Sequence, residues 1–272
     1  MFADDSTLHA SGNTVQQITN SLQTSLDDVI NWCSLNNMIL NPDKTEAMLI
    51  TTRQKLQRNP PDLKLFINDC PIKQVSEHNL LGVVIDDQLQ WQPHINKICK
   101  TVSKKLYLLS RIKTVIDLPT RKLFYNAYIK PHFDYVSNLW DGCSENQFKK
   151  LNSLHRRAAK LILSDQNITN DERLVVLNML PLKKTLFFNK SIFMFKIINS
   201  DSPRYLHDLF KFTNNPYGDR KKNLQVVHPR IDLCKTSLSF SGASLWNFFP
   251  KASKTLSSLK TFKEGMLKLL WS

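Results

Sequence analysis

Two adjacent carboxylates, Asp4 and Asp5, are of the type and spacing that could carry chemistry. Mg²⁺ prefers hard oxygen ligands and keeps open positions for phosphate and water, so paired carboxylates suit metal-assisted phosphoryl transfer. Neighbouring side chains on a strand point to opposite faces, so both carboxylates can reach one ion only from a tight turn. Taken alone, the pair is more typical of a solvated surface turn than of a catalytic site.

The pair lies at the start of a mixed α/β region of about 90 residues, and this region must position the two carboxylates. Apolar residues recur at helical spacing from Val15 to Cys33 and predict a helix that begins after the Ser11-Gly12-Asn13 turn. Asn68-Asp69 has the composition of a hairpin turn between two strands. Extended segments are predicted at 2–9, 47–51, 63–67, 70–72 and 79–85, and a polar loop at 53–62.

The pattern becomes helical after Trp91 and remains largely helical to the end of the chain. Apolar residues from Ile95 to Ile112 form one stripe of a helix that extends to Val115. A different face of this helix carries Lys97, Lys100, Lys104 and Arg111. Further helices are predicted at 119–140, 146–163, 182–199, 240–249 and 258–271, with a polar loop at 213–236.

The charge of the chain is strongly basic and unevenly distributed. The formal net charge is +14, with residues 1–50 at −5 and residues 51–272 at +19. A basic body of this kind favours a polyanionic partner, most often nucleic acid. Lysines scattered over an ordinary soluble surface are the alternative, and composition gives the two interpretations about equal weight.

Composition excludes several other classes of protein. Apolar residues make up 42% and charged residues 22% of the chain, as in globular rather than disordered proteins. No run approaches the ~18 apolar residues of a membrane span, and the N-terminus lacks the pattern of a signal peptide. The five cysteines form no CxxC pair, which predicts reduced thiols. We therefore expect an intracellular protein of the nucleus or cytoplasm that is neither secreted nor membrane-bound.

Several ordered segments resemble one known family. The segment FADDSTL at 2–8 is similar to the catalytic motif of reverse transcriptases, an aromatic residue, any residue and two aspartates. The run NWCSLNNMILNPDKT at 31–45 resembles the W-x-x-x-N-x-x-x-L-N-x-x-K-T run of non-LTR retrotransposon polymerases. Similar segments follow at 80–95, 127–135, 151–162 and 244–250. The chain thus resembles the C-terminal part of a LINE-type, jockey-like reverse transcriptase.

This resemblance implies a role for several residues of the first region. Asp4 and Asp5 would be metal-binding carboxylates of the palm, and Phe2 would pack near the primer end. Lys44 would neutralise the departing pyrophosphate, because a cation near the leaving group stabilises developing charge. A solvated turn lysine is an equally weighted alternative for Lys44. The last implied group is the primer grip, formed by Leu81, Gly82 and Val83, where a glycine permits close approach of a nucleic-acid strand.

The resemblance also implies that the basic helices contact a phosphate backbone. The helix from Ile95 to Val115 would belong to the thumb, with Lys97, Lys100 and Lys104 facing the phosphates. An RNA–DNA hybrid is gripped in this way, through shape and backbone rather than base edges. An amphipathic helix with a solvated lysine face is the alternative from the pattern alone. A weaker repeat of this arrangement is formed by Arg156, Arg157 and Lys160.

These inferences together predict an α+β fold. A small palm remnant, with a few antiparallel strands and one helix, is expected at 1–90. A helical thumb is expected at 91–165, and a helical C-terminal region at 166–272.

We expect this chain to be part of an RNA-directed DNA polymerase and to lack polymerase activity by itself. In the family, the fingers and most of the palm precede the two aspartates, whereas only Met1 precedes Phe2 here. The third catalytic aspartate is therefore missing. The complete parent would use Mg²⁺, a dNTP, an RNA template and a DNA primer. A non-catalytic nucleic-acid-binding protein derived from the thumb, or a translated pseudogene, is the alternative.

Overall fold

The computed structural model describes residues 5–58, 62–164, 167–199, 202–213, 222–229 and 231–271. Contacts between Cα atoms divide the chain into two compact units, residues 1–94 and 95–272. The first unit combines helices with short strands, and the second is mainly helical. The predicted α+β class with a helical C-terminal region is therefore confirmed.

The described residues of the first unit form one long helix, a short helix and three two-stranded sheets. β1 pairs with β4 in parallel, whereas β2 with β3 and β5 with β6 are antiparallel hairpins. Its elements are α1 Val15–Leu35, a 3₁₀ turn Pro42–Lys44, β1 Glu46–Ala47, α2 Arg53–Arg58, β2 Phe66–Ile67, β3 Cys70–Pro71, β4 Lys73–Gln74, β5 Glu77–Leu80 and β6 Val83–Asp86.

Helix α1 packs on the β2–β3 hairpin around a small apolar cluster. Leu26 of α1 is buried with Leu65, Ile67 and Ile72 of the hairpin region. Gln23 adds a paired contact, because its Nε2 donates to the Phe66 carbonyl at 3.1 Å and its Oε1 accepts from the Phe66 amide at 3.0 Å. The side-chain amide of Gln23 thus hydrogen-bonds to the β2 backbone and links α1 to the hairpin.

The single strand predicted at 79–85 is wrong, because this segment is a hairpin. β5 and β6 pair from Glu77 with Asp86 to Leu80 with Val83. Leu81 and Gly82 form the two-residue turn, with φ of 47° and 86°, and a type I′ turn requires positive φ at both positions. Leucine rarely adopts positive φ, so Gly82 was the only turn signal and the first turn position was not predictable from its residue type.

The side chain of Asp86 organises the loop that follows this hairpin. Its Oδ1 accepts from the amides of Gln88 at 3.1 Å and Gln90 at 2.9 Å, and its Oδ2 accepts from the Trp91 amide at 2.7 Å. Leu89 and Trp91 both have positive φ within this loop. One buried carboxylate therefore holds three amides of an irregular backbone in place.

The elements after residue 90 are nearly all helical. The helix predicted from Ile95 to Val115 begins earlier and ends earlier than expected. The elements are α3 Gln92–Ile112, α4 Leu118–Phe124, a π-helical segment Tyr125–Ile129, α5 Lys130–Asp134, α6 Ser137–Trp140, α7 Glu145–Ile162, α8 Asn170–Val176, α9 Leu182–Ile198, α10 Arg204–His207, α11 Asp232–Lys235, α12 Leu238–Phe248, α13 Lys251–Lys254 and α14 Leu259–Trp271.

The single helix predicted at 119–140 is also wrong, because the segment is broken twice. Pro131 has no amide hydrogen and its ring collides with the carbonyl four residues earlier, so an α-helical ladder cannot pass it. The backbone widens into the π-helical segment directly before this proline. At the second break, Val136 has a φ of 47°, which reverses the chain between α5 and α6.

The second unit is built around a large apolar core. Trp246 and Phe262 are completely buried in a cluster that joins α9, α12 and α14. Trp140 is equally buried, so both tryptophans are core residues. A buried ion pair adds to this interior, because Lys190 Nζ lies 2.9 Å from Asp141 Oδ2.

Smaller differences from the sequence-based elements lie in short or polar segments. The predicted strand at 47–51 is reduced to β1, and the predicted loop at 53–62 contains α2. Asp5 forms an isolated bridge, and residues 6–12 form no strand. The short helices α8, α10 and α13 were not predicted, because their apolar patterns are weak, and α11 lies within the loop predicted at 213–236.

Candidate nucleic-acid interface

The residues expected to bind metal lie at the beginning of the chain. Phe2 and Asp4 lie outside the described residues. The side chain of Asp5 is exposed to solvent. The Asp5 carboxylate is a hard, exposed oxygen donor that suits Mg²⁺. It supplies only one ligand, however, whereas Mg²⁺ is coordinated by six. Among the residues that the structure describes, no group of three or more His, Cys, Asp or Glu could hold a metal ion.

Lys44 occupies a short, well-defined turn. Pro42 sets the backbone of the 3₁₀ turn, and the Asn41 side chain caps it by accepting from the Asp43 amide at 3.0 Å. The Lys44 side chain is exposed at the end of this turn. A cation is therefore available at this position, and its role near a leaving group stays a prediction.

The three residues expected to form the primer grip have different environments. Leu81 and Gly82 are exposed at the hairpin tip, whereas Val83 is buried, with 4% of its surface exposed. Gly82 therefore serves a turn rather than a strand bulge, and its backbone is open to solvent. The tip could touch a strand of nucleic acid through Leu81 and Gly82, while Val83 anchors it.

Helix α3 separates an apolar back from a basic front. Five residues form its buried face, and each is at most 5% exposed. They are Ile95, Ile98, Val102, Leu106 and Leu109. Lys97, Lys100, Lys104 and Arg111 are all exposed and fall within about 60° of the helix circumference. The helix contains no aspartate or glutamate. The apolar stripe is confirmed, and the opposite face carries these four cations together with the exposed side chains of Tyr107 and Leu108.

Helix α7 presents a second basic face. A capping box on Ser144 starts the helix, and Leu151, Ala158 and Ile162 are buried on its inner side. The cations of the outer side fall within about 120° of the circumference. They are Lys149, Lys150, Arg156, Arg157 and Lys160. Glu145 in the first turn is the single carboxylate of this helix.

The predicted cations of α7 differ in their availability. Arg157 and Lys160 are exposed, but Arg156 is half-buried and its Nη2 lies 3.1 Å from Asp171 Oδ1. This ion pair occupies part of the Arg156 guanidinium. Arg157 and Lys160 are therefore better placed than Arg156 to contact an anion.

The sequence analysis missed three residues of these faces. Lys149 and Lys150 precede Arg156 and Arg157 by seven residues, which is two helical turns, and this spacing could have revealed them. Tyr107 lies beside the basic row of α3 and is 63% exposed. An exposed aromatic ring next to cations can stack on a base or a sugar.

A buried histidine locks the inner side of α7. His155 Nε2 donates to the Leu180 carbonyl at 3.0 Å, so Nδ1 is left to accept from the Tyr125 hydroxyl, also at 3.0 Å. Burial lowers the pKa of His155 to about 4, and burial likewise raises the pKa of Tyr125. The imidazole is therefore neutral near pH 7 and serves the core rather than the basic face.

None of the helices within the described ranges has the length and apolar character needed to cross a bilayer.

Comparison with known proteins identifies relatives among transposon-encoded polymerases. The chain is 22% identical over 165 residues to the probable RNA-directed DNA polymerase from transposon X-element of Drosophila melanogaster. It is 23% identical over 165 residues to the corresponding protein from transposon BS of the same organism. Each match covers 59% of this chain and 18% of the relative, so the chain spans about a fifth of the length of these curated relatives.

These matches agree with the resemblance to non-LTR retrotransposon reverse transcriptases, which is therefore confirmed. No protein-family model and no solved structure matches the chain.

Proposed function

We propose, on the premise of this similarity to transposon-encoded RNA-directed DNA polymerases, that the chain is the part of such an enzyme that holds nucleic acid. Its partners are the RNA template and the DNA primer, encountered in the nucleus or the cytoplasm. The palm remnant corresponds to residues 1–90, the thumb to 91–165 and the helical C-terminal region to 166–272.

The observation that supports this proposal most strongly is the pair of basic faces on α3 and α7. Lysine and arginine side chains on rigid helices release condensed counterions when they neutralise backbone phosphates. Such contacts position a duplex without reading its sequence, as a polymerase requires. On α3 the helix itself contributes no carboxylate, and on α7 Arg157 and Lys160 are exposed, so these side chains are suited to this task.

In the complete polymerase, Asp4 and Asp5 supply two of the carboxylates that bind Mg²⁺. Held by these carboxylates, Mg²⁺ would supply positive charge beside the phosphates of the dNTP. Lys44 supports the departing pyrophosphate, and Phe2 lies against the primer end. The tip formed by Leu81 and Gly82 guides the primer strand, with Val83 as its anchor.

Residues 1–272 alone are expected to bind nucleic acid without extending a primer. Two aspartates of the expected three are included, and a two-metal site needs all of its carboxylates in place. The measurement is primer extension on an RNA template with Mg²⁺ and dNTPs, alongside a binding titration. Incorporation of nucleotides by this chain would contradict the expectation, whereas binding without extension would agree with it.

The proposed contact face is tested by removing charge from α3. We expect Lys100→Gln with Lys104→Gln to weaken binding of an RNA–DNA hybrid by about fivefold to tenfold per lysine at ~0.1 M salt. The matched control is Lys260→Gln with Lys263→Gln, which removes two exposed lysines from α14. Equal losses in both double variants would overturn the assignment of the face, because only net charge would then matter.

A further inference from the structure

A cleft lies between the two basic helices of the second unit. Its volume is about 470 Å³, within the range of ~300–1,000 Å³ in which small ligands are bound. Cys99 and Ser103 of α3 form one wall, and four residues of α7 form the other. Those four are Lys149, Lys150, Ser153 and Leu154.

The polar side chains of this lining are suited to an anion. Two ammonium groups and two hydroxyl groups border the cleft, and no carboxylate is among its lining residues. Within the part of the chain that the structure describes, neither lysine forms an ion pair, and neither serine hydroxyl has a hydrogen-bond partner. All four groups are therefore available donors, and a phosphate group accepts from both ammonium and hydroxyl donors.

One side of the cleft is apolar, and its charged groups lie toward the solvent. Leu154 and the Cys99 thiol supply surface against which a sugar can pack, while Lys149 and Lys150 lie on the solvent side. Burial raises the pKa of the Cys99 thiol, and the Lys150 ammonium partly offsets that effect. The charge of Lys150 therefore acts across the cleft, on the opposite helix.

We propose that this cleft binds a phosphate group, held by the ammonium groups of Lys149 and Lys150 and by the hydroxyls of Ser103 and Ser153. The proposal rests on the nucleic-acid-binding function above and adds a defined subsite to it. A backbone phosphodiester is the favoured source, because the basic face continues along α7 to Arg157 and Lys160. A free polyphosphate shares the same chemistry and is distinguished below.

The decisive variant changes the hydroxyls and leaves the charge unaltered. Ser103→Ala with Ser153→Ala removes both neutral donors, and alanine is a better helix former than serine, so folding is preserved. We expect the full chain to bind a short RNA–DNA hybrid about fivefold to tenfold more weakly, as for two lost hydrogen bonds. A diffuse field of lysines predicts unchanged affinity, and that result would overturn the subsite.

A control for the charged half of the site uses the lysines. Lys149→Gln with Lys150→Gln is expected to weaken hybrid binding and to make the slope of log K against log salt shallower by about two. Lys260→Gln with Lys263→Gln removes the same charge from α14 and is expected to leave that slope unchanged. A slope that changes equally in both would contradict a localised site.

The source of the phosphate is resolved by a second titration with inorganic tripolyphosphate. If Ser103→Ala with Ser153→Ala weakens hybrid binding, the cleft holds a backbone phosphodiester. If that variant weakens tripolyphosphate binding alone, the cleft holds a free polyphosphate and the favoured source is wrong. If neither affinity changes, the cleft is not a phosphate site.

Failure of this inference is separable from failure of the proposed function. A wild-type chain that binds the hybrid with a steep salt dependence keeps the proposed function, even when the serine variant is unaltered. A wild-type chain that binds no hybrid removes the proposed function, and the tripolyphosphate titration then still tests the cleft. Circular dichroism of each variant establishes that the helices are retained.

Discussion

The two units of the chain use opposite means to place their functional residues. In the first unit, strands of two to four residues surround a small apolar cluster, and side-chain hydrogen bonds fix the loops. In the second unit, long helices are buried along one side and carry cations on the other. In the first unit, side-chain hydrogen bonds therefore position a few groups. In the second unit, packed helices hold many charges in fixed places.

We therefore expect the two units to respond differently to single substitutions. A carboxylate or a hairpin tip depends on a handful of local contacts, so one substitution can displace it. A row of lysines on a packed helix depends on the core beneath it, and each lysine contributes independently to the salt dependence.

The largest effect is expected from the core of the second unit. Trp246→Ala removes a fully buried indole whose Nε1 donates to the Lys222 carbonyl at 3.0 Å. We expect a loss of about 3–5 kcal/mol in the free energy of unfolding, measured by urea denaturation. Phe248→Ala on the same helix is the control, because Phe248 is 73% exposed and should change little. Similar losses for both would contradict the described core.

The next effect is a loss of stability in acid. The pKa of His155 is about 4 in the folded chain and ~6.5 when unfolded, so only the unfolded state takes up this proton between those values. Stability is therefore complete above ~6.5 and declines by up to about 3 kcal/mol as the pH falls to 4. Urea midpoints across this range measure it. Glutamine does not titrate, so the stability of His155→Gln should depend less on pH. An unchanged pH dependence in this variant would show that His155 is not the group responsible.

A smaller effect is expected in the first unit, at the Asp86 loop. Asp86→Ala leaves three amides without their acceptor, and we expect a loss of about 2 kcal/mol. Hydrogen exchange of the Gln88, Gln90 and Trp91 amides should accelerate, while exchange in α12 should not. Asp86→Asn retains one oxygen acceptor and should lie between the two. Unchanged exchange at all three amides would show that the carboxylate does not hold this loop.

The smallest effect is a gain in stability. Val136 has a φ of 47° and is 37% exposed, so a β-branched residue is strained there while burying little surface. Val136→Gly should stabilise the chain by about 1 kcal/mol in urea denaturation, whereas Val136→Ala should not, since alanine is also disfavoured at this φ. A loss of stability in the glycine variant would argue against the left-handed backbone.

Sequence periodicity predicted the elements that depend on one buried stripe. The apolar residues of α3 recur at helical spacing and are buried as expected, and Asn68-Asp69 forms the anticipated turn with φ of 46° and 64°. Turn chemistry and helix periodicity act locally, so these elements can be inferred from neighbouring residues alone.

Elements that depend on tertiary context were not predictable in this way. The turn at Leu81 uses a residue with no preference for positive φ, and it is fixed by the pairing of β5 with β6. Pro131 indicates that the helix is interrupted there, but not that the interruption takes the form of a π-helical segment. The cleft between α3 and α7 combines Ser103 with Lys150, which are far apart in sequence and meet only in the folded unit.

The basic faces of α3 and α7 are proposed to hold a nucleic-acid backbone. The most direct test is the affinity of the full chain for an RNA–DNA hybrid, measured as log K against log salt. Engagement of at least four of these cations predicts a slope of about −3.5 or steeper, reduced by the α3 and α7 double variants and unaltered by the α14 control. A slope near zero, or one that all variants change equally, would contradict the claim.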